Sequence, residues 1–125
     1  MKYLLAISLI IFTPHLTANE NVPVIVGSDD DMDACMTLGL SVTSSNQNES
    51  VVRAGPSTTA VVIDKIKNGH PVWMCSFKKE WIGVVYSTSD KIDCGVSRFI
   101  NPARPYQGPC HSGWMHKTNV EPAAG

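Results

Sequence analysis

The chain predicts an all-β fold, a small barrel or sandwich. Its apolar residues fall in short runs rich in Val, Ile and aromatic side chains, and those runs are separated by Gly, Pro and Asn turn chemistry. Nothing in the region from Val51 to Tyr86 repeats at helical spacing over enough length to argue for a helix.

Each element follows from local chemistry. Val51-Val52 is β-branched and suits a pleated, half-buried surface, and Gly55-Pro56-Ser57 stops that strand with turn residues. Val61-Val62-Ile63 resumes the apolar run, and Asn68-Gly69 is a strong turn signal. The next strand, Pro71 to Phe77, carries its proline at the first position, where no ladder hydrogen bond is lost. Lys78-Lys79-Glu80 is a short polar connection into Trp81-Ile82-Gly83-Val84-Val85-Tyr86. The pattern is a β-meander with no helix beyond a short turn.

The first residues set the expected compartment. Met1-Lys2 gives a positive start, Tyr3 to Phe12 is apolar apart from Ser8, and Thr17-Ala18 precedes a cleavage point before Asn19, with Leu16 three positions earlier. Residues 1–18 therefore have the pattern of a signal peptide. An apolar run of about ten residues is too short for a bilayer span, which needs roughly twenty. The expected location is periplasmic or secreted, with no stable membrane span after cleavage and no Cys at the cut to carry a lipid.

Four cysteines, Cys35, Cys75, Cys94 and Cys110, survive that cleavage. An even count in a short exported chain predicts two disulfides, with three possible connectivities. Pairing of Cys35 with Cys75 would clamp the N-terminal segment onto a strand. Pairing of Cys94 with Cys110 would close a Gly- and Pro-rich segment, worth about 3 kcal/mol in the chain-entropy model. These are the expected pairs. A zinc site is the competing reading, but the chain has no Cys-x-x-Cys, and the neighbours Cys110-His111 cannot easily ligate one ion together. No metal or cofactor is expected.

Charge divides the mature chain. Residues 19 to 50 carry Glu20, Asp29, Asp30, Asp31, Asp33 and Glu49 and no Lys or Arg, whereas residues 51 to 125 hold nine bases and five acids. The balance lacks the basic excess of a nucleic-acid binder. Residues 19–36 are expected to be an acidic, solvated lead-in, the alternative being attraction between the two halves; residues 37–125 form the single domain. Starting an EF-hand loop at Asp29 puts Ala34 where Gly is needed and Leu40 where Glu is needed, so the acidic run is taken as an exposed linker. Asn48-Glu49-Ser50 has the form of a glycosylation sequon and is read as a polar loop.

The ordered turns support a resemblance. Val52 to Ser57, Val61 to Gly69, Glu80-Trp81 and Gly113-Trp114-Met115-His116 resemble, in order, the segments of bacterial SH3 domains, over roughly residues 38 to 121. The chain departs from that pattern between Tyr86 and Trp114, where Asp93-Cys94-Gly95-Val96 and Pro102 to Pro109 replace a short hairpin. It looks most like a subset of small exported, Cys-containing bacterial proteins with this arrangement. The resemblance implies an SH3-like β-barrel of five or six strands with a long disulfide-closed loop, and a cell-envelope binding module that recognises cell-wall peptide or glycan.

Binding rather than catalysis is the expected function. A Cys–His enzyme needs a free thiolate and a base in reach, yet every cysteine has a disulfide partner available, and His70, His111 and His116 are scattered over turns and a terminal strand. No Gly-x-Ser-x-Gly elbow or phosphate loop is present. Of the aromatic residues, Trp81 and Trp114 match family positions that pack the barrel. Tyr106, with Arg98 and Arg104 near it in the Pro-rich loop, forms the candidate contact surface, because Arg and Tyr carry much interface energy and the prolines reduce ordering cost; the equal alternative is that the loop is a solvated spacer. The expected partner is peptidoglycan; the alternatives are an envelope protein, bound by an inhibitor or immunity-type chain, and hydrolysis.

Overall fold

The computed structural model describes residues 3, 6–12, 21–28, 35, 37–43 and 47–124. The expected cleavage site, Leu16 to Asn19, and the acidic run Asp29 to Asp33 with Ala34 lie outside the described residues.

Nine strands and one short 3-10 turn make up the described structure: β1 (Ile25–Val26), β2 (Thr37–Ser41), β3 (Glu49–Arg53), β4 (Val62–Lys67), β5 (Pro71–Lys78), β6 (Trp81–Tyr86), β7 (Arg104–Pro105), β8 (His111–His116), the turn Lys117–Asn119, and β9 (Val120–Ala124). The fold is all-β. No helix among the described residues is long and apolar enough to cross a membrane.

Seven strands form one sheet in the order β4-β3-β8-β6-β5-β2-β9, and β1 pairs with β7 in a second, two-stranded sheet. All pairings are antiparallel. The strand count exceeds the five or six expected, and the ladder stays open at β4 and β9. The extra strands had weak signals: β2 contains Gly39, β9 contains Pro122, and β7 is two residues long. The sequon also differs from expectation. Glu49 and Ser50 open β3, and the Ser50 hydroxyl is buried and donates to the Val42 carbonyl at 3.1 Å.

The sheet curls so that its two edge strands share a core. Ile66 from β4 and Val120 from β9 join Val52, Val72, Met74, Ile82, Val84, Tyr86 and Met115 in one buried cluster. Side-chain bonds reach across the gap the ladder leaves. Ser41 on β2, fully buried, donates its hydroxyl to the Lys67 carbonyl on β4 at 2.6 Å and accepts from the His70 amide at 2.9 Å.

A second core lies on the opposite face of the central strands. Val24, Val26, Cys35, Cys94, Val96 and Ile100 pack there against Val85 and Trp114. Register explains the division: Ile82, Val84 and Met115 face the first core, while Gly83, Val85 and Trp114 alternate onto the second. Residues 21–28, to which the sequence assigned no element, therefore form part of a covering layer. Gly83 lets that layer approach closely, since a Cβ there would lie 2.9 Å from Ser76 Cβ and 3.1 Å from Val24 Cγ1.

Both expected disulfides are present, Cys35–Cys75 and Cys94–Cys110, and no cysteine is free. Each anchors the covering layer. Cys35–Cys75 ties its N-terminal part to β5, and Cys94–Cys110 closes the segment between β6 and β8.

Candidate functional site

The three residues singled out from the sequence take different positions. Arg98 is exposed and pairs with exposed Asp93 at 3.4 Å, a contact that contributes little in water. Arg104 lies exposed on β7 opposite Val26. Tyr106 is partly buried against the second core, with its hydroxyl donating to the Cys94 carbonyl at 2.8 Å and accepting from the Cys110 amide at 3.2 Å. It thus braces both ends of the disulfide, and its own amide donates to Val24 at 2.9 Å. No hydrogen bond or ion pair joins the three residues to one another among the described residues.

A cleft missed by the sequence reading lies where the Gly55-Pro56-Ser57 loop meets the β5–β6 turn. Pro56, Lys78, Lys79, Glu80 and Trp81 line about 510 Å³, most of it apolar. The local sequence explains its shape. Lys78 pairs with Trp81, leaving Lys79 and Glu80 as a two-residue connection, and the favoured connections of that length need positive φ at the first central residue. Lys79 supplies it at φ 54°, the only non-Gly positive φ among the described residues. A left-handed conformation costs an L-residue about 1–2 kcal/mol.

The charges around the cleft are unevenly engaged. Glu80 accepts from the Lys117 ammonium at 2.8 Å, and this hydrogen bond, with the Lys117 charge, holds its carboxyl below the usual range. Lys78 extends over the Trp114 ring, 5.8 Å from its centroid, while Lys79 has no ion-pair partner among the described residues. Trp81, partly exposed, is held by the edge of His116 at 5.3 Å between ring centroids. Trp114 is fully buried on the second core, its indole N–H donating to the Val22 carbonyl at 2.7 Å. The arrangement can hold an apolar or aromatic ligand group on Trp81 and Pro56 and a ligand carboxylate at the lysines.

The histidines fill structural places. His70 Nε2 donates to the Ser87 carbonyl at 2.6 Å, and His116 Nδ1 accepts from the Thr118 amide at 3.2 Å, capping the 3-10 turn. His111 stacks on Tyr86 at 5.6 Å. With all four cysteines in disulfides, a thiolate nucleophile has no source.

No family model matches the chain, and no curated protein or solved structure is significantly similar to it. Fold and cleft together define a disulfide-bonded, all-β protein with an apolar, lysine-lipped cleft.

Proposed function

We propose that the chain is an exported, non-catalytic binding module of the bacterial SH3 type that recognises cell-wall peptide through the Trp81 cleft. Lys79 carries this reading. A residue held at positive φ where Gly would fit more easily stores strain, and residues of that kind cluster at functional sites. Here it presents an ammonium beside an apolar floor, and wall peptides offer both carboxylates and small apolar side chains. Two disulfides favour an oxidising compartment, the address expected from the leader. The curled sheet, whose edge strands share a core, supports the SH3-like reading.

Co-sedimentation of the oxidised mature protein with insoluble peptidoglycan tests the proposal. Wild type should pellet, and Lys79→Gly should bind about tenfold more weakly, because it removes one charge-assisted contact while keeping the turn. Failure of wild type to pellet would overturn the wall reading. A protein partner is the second reading, favoured by the exposed Val61, Val62 and Ile63 at edge strand β4, which are 47%, 43% and 50% accessible. Capture of an envelope protein that Val62→Lys abolishes would support it.

A further inference from the structure

We propose that a second pocket, at the other end of the β5–β6 hairpin, binds a sugar ring of an N-acetylated glycan; the source of that ligand rests on the wall-recognition reading. The pocket encloses about 310 Å³ between the start of β5, the end of β6 and the segment after Tyr86. Trp73 and Lys78 mark the two ends of the hairpin, roughly 17 Å apart at strand rise.

Its lining has the chemistry of a saccharide site. Trp73 is partly exposed and held rigidly, paired with Val85 on one side and Leu38 on the other and packed on the second core. Its indole N–H has no acceptor among the described residues, in contrast to that of Trp114. A pyranose presents an apolar C–H face to such a ring and hydroxyls at its rim. Asp90, exposed and without a protein partner among the described residues, accepts from hydroxyls. His70 adds a second polar group to the lining. Its Nε2 is occupied by the Ser87 carbonyl, to which it donates at 2.6 Å, so Nδ1 is the ring nitrogen left to meet a ligand hydroxyl.

Leu38 and Ile92, the latter 44% exposed, supply an apolar wall suited to an acetamide methyl. No Lys or Arg lines the pocket, and Asp90, which has no ion-pair partner among the described residues, disfavours an anionic ligand, whereas Asp93 is paired with Arg98. The two ends of the hairpin therefore differ in sign and selectivity: the Lys79 end takes carboxylates, and the Trp73 end takes neutral, hydroxyl-bearing rings.

Calorimetric titration with a soluble β-1,4-linked N-acetylglucosamine tetramer, and with the matching glucose tetramer, tests this. The acetylated tetramer should bind saturably in the millimolar range or tighter, the glucose tetramer more weakly. Asp90→Asn, at an exposed side chain the fold does not use, should weaken binding about tenfold, and Trp73→Phe should also weaken it. Lys79→Gly should leave it unchanged. Absence of saturable binding, or binding undiminished by Asp90→Asn, would overturn the proposal. Wall retention without tetramer binding would do so while leaving the Lys79 reading intact, and tetramer binding without wall retention would do the reverse.

Discussion

Tyr86 is 1% exposed, yet its hydroxyl donates to Asp64 Oδ2 at 2.6 Å, and Asp64 Oδ1 in turn accepts from the Lys65 amide at 2.8 Å on the sheet edge. Burial first, and the Asp64 carboxylate second, push the phenol far above its ordinary range. The fold thus requires the neutral form. This contribution is complete below the unfolded phenol's pKa of about 10 and is lost as pH rises beyond it toward the folded value. Urea unfolding across alkaline pH should show wild type losing stability above about pH 10 more steeply than Tyr86→Phe. At neutral pH that variant should cost about 1–2 kcal/mol, because it leaves a partly buried carboxylate short of one donor. Lys79→Gly has the opposite signature: thermal unfolding should find it unchanged to about 1 kcal/mol more stable, since relief of the left-handed strain outweighs the extra chain entropy of Gly. A functional lysine and a strained lysine are then separated from a structural one by a variant that gains stability and loses binding.

At the scale of elements, the covering layer distinguishes this sheet from an ordinary half-exposed one. β6 was legible as a strand, and its burial on both faces was also written in its sequence: from Ile82 to Tyr86 it has no polar alternation, and every residue is buried. The expected barrel accounted for only one of those faces. β1 and β7 were not legible, because two-residue strands carry no periodicity and exist only through each other's hydrogen bonds and the cores beneath. The disulfides hold this layer. Cys94→Ala with Cys110→Ala should cost about 3 kcal/mol in denaturant unfolding, and Cys35→Ala with Cys75→Ala, which opens a longer loop, about 4 kcal/mol. Tyr106→Ala should also destabilise, by about 2–4 kcal/mol, since it removes a packed ring and two hydrogen bonds at the disulfide. A binding defect in that variant would therefore report on the fold, whereas Arg104→Ala tests the loop as a contact surface without that cost.

Over the whole molecule, two cores on opposite faces of one sheet imply two levels of cooperativity. The inner core is built by long-range strand pairing and carries no cysteine, while the outer core contains both disulfides. Reduction should loosen the outer layer ahead of global unfolding. Hydrogen exchange on the reduced protein should show the Tyr106 amide, bonded to Val24, losing protection while Val84 between β5 and β8 stays protected. Equal loss at both would mean that the two layers unfold as one.

The amino-acid sequence by itself determined the strand class, the turns at Gly55-Pro56, Asn68-Gly69 and Lys79-Glu80, and the expectation of two disulfides though not their pairing, because these depend on local sterics and on the even cysteine count. Only the tertiary structure decided how the four cysteines pair, which face Trp114 occupies, that Tyr106 braces a disulfide, and that Pro56 shares a cleft with Trp81 and Trp73 a pocket with Asp90. Those juxtapositions join residues far apart in the chain, and their geometry is set by ladder register and by the packing of the covering layer, neither of which has a local signature.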